Sequence, residues 1–119
     1  MEPFDDRSPI YQQIADRIRA AILAGELEEG DQVMSTTQYA TTHRINPATA
    51  AKAMAQLVDE GLLHKRRGLG MFVSPGAREA LREQGRATFF TRALDPVLAE
   101  AAALGISTDQ IISHIRGTR

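Results

Sequence analysis

The 119-residue chain contains no cysteine. A disulfide scaffold, a thiolate zinc site and a cysteine nucleophile are therefore excluded, and a reducing, cytoplasmic setting is expected. No apolar run approaches the roughly 20 residues that cross a bilayer, so no membrane association is expected. The first six residues are acidic and carry no basic segment followed by an apolar one, so no signal peptide is expected. There is no internal repeat and no low-complexity tract. Metal-ligand spacing is also missing, because His43, His64 and His114 lie far apart. No metal or other cofactor is expected. Gly68-Leu69-Gly70 opens no helix and is followed by no Gly-Lys-Ser/Thr, so it is not a nucleotide fingerprint. Asp5-Asp6 and Glu28-Glu29 read as solvated loop acids, and nothing in the chain argues for an enzyme.

Net charge is also nearly absent, at −1, but its distribution is uneven. Residues 1–31 hold eight acids and three bases, residues 32–75 two acids and five bases, and residues 76–119 five acids and six bases. The middle third is basic, and a local patch of that kind can supply phosphate contacts that the overall charge conceals. Apolar residues make up 43% of the chain, enough for a folded core.

Ile10, Ile14, Ile18 and Ile22 recur every four residues after Ser8-Pro9, which predicts a helix over about 9–24 with Ser8 as N-cap and Gly25 as its stop. Ser35-Thr36-Thr37-Gln38 is a capping box and predicts a short helix over about 36–42. Asn46-Pro47 starts another helix that runs to about Glu60. Two short helices joined by a brief turn form the skeleton of a helix-turn-helix. Leu62 to Arg66 and Met71 to Ser74 are strand-like runs on either side of glycines that permit a tight hairpin. A second helical region is expected from about Ala77. In it Phe90, Leu94, Val97, Ala101 and Leu104 keep a 4-3-4-3 spacing, and Phe89 widens the stripe. Pro96 predicts a kink or break there. Ser107 to Gln110 is another capping box, opening a last helix.

On a helical wheel, Ala50, Met54 and Leu57 face a core. Ala48, Ala51, Lys52 and Ala55 fall on the opposite side with Thr49 at its flank. That outer face is small and flat, with one cation. It suits a major groove, although alanine is also simply the best helix former for a solvent face. The hairpin that follows carries Lys65, Arg66 and Arg67 and turns at Gly68 and Gly70. Basic side chains there can reach phosphates, and a glycine tip lets the backbone approach a minor groove. Three helices followed by a basic β-hairpin is the order of a winged helix. The fold expected is therefore mainly α with a small β-hairpin, a winged helix-turn-helix over 1–75 followed by a two-helix arm over 76–119.

In these residues the chain resembles the GntR family of winged helix-turn-helix regulators, and within it the short YtrA-like members. The resemblance runs from Pro9-Ile10-Tyr11-Gln12-Gln13-Ile14 through Ile45-Asn46-Pro47-Ala48-Thr49 and Glu60-Gly61-Leu62-Leu63 to Arg66-Arg67-Gly68-Leu69-Gly70-Met71-Phe72-Val73, and on to Leu104-Gly105-Ile106-Ser107. It covers essentially the whole chain. The chain departs from the family pattern in three places. Val33-Met34-Ser35-Thr36-Thr37 stands where the family has Leu-Pro-Ser-x-Arg, Arg44 stands at a customary glycine, and Ala50 at a customary valine. The resemblance implies a homodimeric transcription regulator, a bacterial repressor, on a palindromic operator in double-stranded DNA. Ser35, Thr37, Arg44, Asn46, Ala48, Thr49, Lys52, Lys65, Arg66, Arg67, Gly68 and Gly70 are the candidate DNA contacts. Phe89, Phe90, Leu94, Val97, Ala101 and Leu104 are the candidate dimer contacts.

Alternatives remain open on the sequence. A winged helix can serve as a protein-interaction module, and the arm can simply cover its own winged helix. A small-molecule effector is undefined. About forty residues in two helices are expected to be too few to enclose a drug-sized pocket within one protomer, so an effector would bind between protomers or between arm and wing.

Overall fold

The computed structural model describes residues 3–117. In chain order the elements are α1 (Ile10–Ala24), β1 (Gln32–Val33), α2 (Thr36–His43), α3 (Pro47–Asp59), β2 (Leu63–Arg66), β3 (Gly70–Val73), α4 (Ala77–Phe89), a π-helical turn (Phe90–Leu94), α5 (Asp95–Ala103) and α6 (Thr108–Gly117). They form two compact units that divide between Arg82 and Glu83, inside α4. No helix among the described residues is long and apolar enough to cross a membrane.

The first unit is built on the isoleucine face of α1. Ile14, Ile18 and Ile22 are buried together with Tyr39 and Ala40 of α2, Ala50, Ala53, Met54 and Leu57 of α3, and Val33, Leu63 and Val73 of the strands. Ala77 and Leu81 of α4 join the same core. The α1 cap differs from expectation by one residue. Pro9 is the N-cap, with φ −54° and ψ 144° and no side-chain cap bond. Its carbonyl accepts from the Gln12 and Gln13 amides. Ser8 is one position too early to cap, and its carbonyl instead accepts from Gln13 Nε2 at 2.7 Å.

Where the sequence predicts a hairpin, the sheet has three antiparallel strands in the order β1-β3-β2. Gln32 pairs with Phe72 and Val33 with Met71, so the turn before α2 becomes an edge strand of the wing. A two-residue strand is too short to show a period-2 pattern, which is why it escapes a reading of the sequence.

One clamp ties α1 to the end of α3. Arg19 donates to both Glu60 carboxylate oxygens, at 2.9 and 2.6 Å, and also to Asp16 at 2.7 Å. The hydrogen bond from Arg19 holds the Glu60 carboxyl below its ordinary range, outweighing the opposing effect of burial. The stabilisation from this carboxylate is therefore complete above the unfolded value. It is lost as pH falls through the lowered folded one. Glu60→Gln is expected to cost about 1 kcal/mol at neutral pH, the upper range for a partly exposed pair with good geometry. Urea unfolding midpoints of the two proteins should converge as the solution is acidified below the carboxylate range.

The second unit holds the rest of α4 and everything after it. The helical path does not break at Pro96. Its ring would crowd the carbonyl four residues back, at Arg92. The helix instead widens by one residue, and the Asp95 amide donates to the Phe90 carbonyl five residues earlier. Phe89, Leu94 and Asp95 all keep right-handed helical angles. The extra residue shifts the phase of the stripe after Phe90. Ala101 is buried and Leu94 half-buried, whereas Phe90, Val97 and Leu104 are 64%, 59% and 68% exposed. Gly105, with φ 76°, ends α5. Ser107 and Gln110 then close the expected capping box, the Gln110 amide donating to Ser107 Oγ at 3.1 Å and the Ser107 amide to Gln110 Oε1 at 2.8 Å.

Candidate nucleic-acid interface

The α2–turn–α3 segment is set by local capping. The Gln38 amide donates to Ser35 Oγ at 3.1 Å and the Ser35 amide to Gln38 Oε1 at 3.2 Å, which closes the capping box and orients the first turn of α2. Thr37 is exposed in that turn. At the other end of α2, Arg44 is the C-cap, with φ 53° and ψ 50°. It is the one non-glycine residue with positive φ among those described. A side chain there carries a conformational cost that glycine would not, and it projects a cation from the turn. Asn46 then caps α3, its Oδ1 accepting from the Ala48 amide at 2.7 Å. That oxygen accepts from the helix, and the side-chain amide NH2 can donate to a partner.

On α3 the wheel holds. Ala50, Met54 and Leu57 are buried, Ala53 with them, while Ala48, Ala51, Lys52 and Ala55 are exposed and Thr49 is half-buried. Lys52 bends toward α1, with its Nζ 4.1 Å from the centre of the Tyr11 ring. Tyr11 therefore belongs to the edge of this face, a cation–π partner that spacing along α3 could not reveal.

The wing has two faces because side chains alternate along β2. Lys65 pairs with Met71 on the side that looks to α3, and His64 pairs with Phe72 on the other. Arg66 lies on that second side, its guanidinium 4.4 Å from the Phe72 ring centre. Arg67 is exposed at the start of the turn, and Gly68 and Gly70 have φ 77° and 115°. The turn is pinned from β1, where Gln32 Nε2 donates to the Leu69 carbonyl at 2.8 Å. Nothing in the sequence signals this contact across 37 residues.

Of the candidate contacts, Ser35, Thr37, Lys65 and Gly70 meet in one groove, whereas Arg66 lies on the other side of the wing. The groove, of about 390 Å³, is lined by Ser35 and Thr37 from α2, Ala51 and Ala55 from α3, and Lys65 and Gly70 from the wing. Hydroxyls, a helix N-terminus, alanine methyls and a cation meet there, with Met54 and Met71 also in its walls. Such a surface admits an extended anion beside a helix-sized ridge. Among the described residues no three His, Asp or Glu side chains gather closely enough to hold a metal ion.

In the second unit, α5 and α6 line an open apolar groove of about 560 Å³, with Leu94, Val97, Leu98, Ala101, Ile111 and Ile115 among its walls. Two helices thus form a larger concavity than their length suggests, although it is open and not enclosed. Phe89 and Phe90 stand edge to face, 5.6 Å apart.

A helix-turn-helix, a basic winged sheet and a small-residue helix on one surface define a winged helix DNA-binding protein. Residues 10–73 match the family model of bacterial regulatory proteins, gntR family. The chain belongs to the GntR family, whose members are transcription regulators and not enzymes. It is 31% identical over 118 residues to the HTH-type transcriptional repressor YtrA of Bacillus subtilis, covering 98% of this chain and 90% of that one. Among solved structures, a GntR family transcriptional regulator from Listeria monocytogenes superposes with a TM-score of 0.71 at 29% identity, over 98% of this chain and all of the other. AraR(DBD) in complex with operator ORX1 superposes with a TM-score of 0.55 at 25% identity, over 62% of this chain and 90% of that one. The chain is a DNA-binding transcription regulator of this family.

Proposed function

We propose that two copies of this chain pair through the region after residue 76 and repress transcription from a palindromic operator in the bacterial cytoplasm. The observation that carries the reading is the single surface formed by the α2 start, the outer face of α3 and the wing. In this reading residues 1–75 hold the DNA and α3 lies in the major groove. Thr49 and Lys52 contact base edges, with Lys52 exchanging Tyr11 for DNA, while Ala48 packs against base or sugar. Ser35, Thr37, Arg44 and Asn46 position phosphates, and the wing from Lys65 to Gly70 follows the backbone into the minor groove. The similarity to YtrA, named a repressor, supports the sign of regulation, and the operator complex of AraR(DBD) supports the ligand.

Pairing is supported by the apolar surface of the second unit. Phe89, Phe90, Val97, Leu98, Leu104, Ile106, Ile112 and Ile115 are eight of the twelve large apolar side chains exposed among the described residues. A surface of that density calls for a partner, and two-fold pairing places two α3 helices at half-sites about one helical turn apart.

Arg67→Ala tests the reading. Each phosphate contact contributes about 0.9 to the slope of log K against log [salt]. The substitution should weaken binding to selected and random duplexes alike and flatten the slope by about that amount, as read by fluorescence anisotropy across a salt series. A sharp change in base preference at constant slope would contradict it.

A further inference from the structure

The tip of the wing carries an apolar side chain among cations. Leu69 is 62% exposed, and exposed Lys65, Arg66 and Arg67 lead into its turn. The loop that presents it is held firmly. Its amide donates to the Arg66 carbonyl at 2.9 Å, and its carbonyl accepts from Gln32 Nε2 at 2.8 Å. A Cβ on Gly70 would come within 2.9 Å of the same Gln32 nitrogen, so that bond and any side chain at position 70 compete for the same space. Lys65 and Gly70 also line the groove beside the outer face of α3. The leucine therefore stands on a pinned loop, one residue before Gly70 in the wall of that groove.

We propose that Leu69 enters the minor groove of bound DNA and selects A·T pairs there by steric fit. The proposal rests on the DNA-binding reading above and adds a specificity determinant to it. In the minor groove an A·T pair presents only acceptors on its floor, whereas G·C adds the guanine N2 amine, which projects into the groove. Leucine cannot accept a hydrogen bond from that amine. Packing against it would leave a donor stripped of water and unpaired. A·T tracts also narrow the groove and deepen its negative potential, which favours Lys65, Arg66 and Arg67, the cations that lead into the turn. Apolar side chains at such tips are suited to press against base steps that polar ones would only hydrogen-bond.

The test starts from a random-sequence duplex library selected in parallel with the wild-type protein and with Leu69→Ser and Leu69→Met. All three should enrich the same major-groove half-sites. Wild type and Leu69→Met should also enrich A·T at a position flanking each half-site, and Leu69→Ser should not. Duplexes carrying A·T, G·C or inosine·C at that position then isolate the cause, because inosine·C keeps the major groove of G·C but lacks the N2 amine. Wild type should bind G·C about tenfold more weakly than A·T, within the range of one mismatched pair. It should bind inosine·C as well as A·T, while Leu69→Ser binds all three alike. Weak binding of wild type to inosine·C, the same flanking preference in Leu69→Ser, or no flanking preference in wild type would overturn the proposal. Failure of the wild type to enrich any sequence would instead overturn the DNA-binding reading itself.

Discussion

Ala51→Glu is expected to abolish specific DNA binding while leaving the protein folded. Ala51 is exposed on α3 and lines the groove shared with Lys65 and the α2 start. Glutamate is nearly as good a helix former as alanine, so the helix itself loses only a few tenths of a kcal/mol. Against DNA the new carboxylate meets phosphates across a closing interface, and like charges placed so cost several kcal/mol. Affinity should fall more than about a hundredfold in an anisotropy titration against a selected duplex. The thermal midpoint should be nearly unchanged. Binding within a few-fold of wild type would remove α3 from the interface.

Val97→Asp addresses assembly and should have an effect of similar size. Val97 is 59% exposed on α5, so a charge there costs the isolated protomer little. Leu94 is less suitable, because it is half-buried within its own unit and its replacement would disturb the α5–α6 pairing. At an interface between copies, the two-fold axis brings in two carboxylates, each desolvated without a partner. Light scattering after size exclusion should show a dimer for wild type and a monomer for Val97→Asp. Joining two half-site contacts into one binding event can add a factor of 10²–10⁴ to affinity, so the monomer should bind a two-half-site duplex about a hundredfold more weakly or worse. Its affinity for a single half-site should be unaltered. A dimeric Val97→Asp protein would exclude this face from the interface.

The parts of the fold legible in the sequence are those that chemistry fixes within a few residues. Ser35 and Gln38, Asn46 and Pro47, and Ser107 and Gln110 announce helix starts because each cap is a bond between near neighbours. The isoleucine face of α1 and the alanine face of α3 follow from helical period alone. What escaped the sequence is non-local. The Gln32–Val33 strand exists only because β3 offers an edge to pair with. Lys52 finds Tyr11, Arg66 finds Phe72 and Gln32 finds the Leu69 carbonyl through the tertiary fold. The π-turn is an intermediate case. Pro96 marks where the α-helical pattern must fail, but whether the chain breaks, kinks or adds a residue depends on what the neighbouring turns can absorb. Beyond that turn Val97 and Leu104 are exposed, on the surface where pairing is proposed.

Dimethyl sulfate protection on a selected duplex tests the central claim most directly, because the reagent methylates guanine N7 in the major groove and adenine N3 in the minor groove. With the wild-type protein bound, two clusters of protected guanines should appear about one helical turn apart, each flanked by protected adenines where the wing lies. A bound complex that leaves the guanine N7 positions uniformly reactive would contradict entry of α3 into the major groove, and with it the account of this surface.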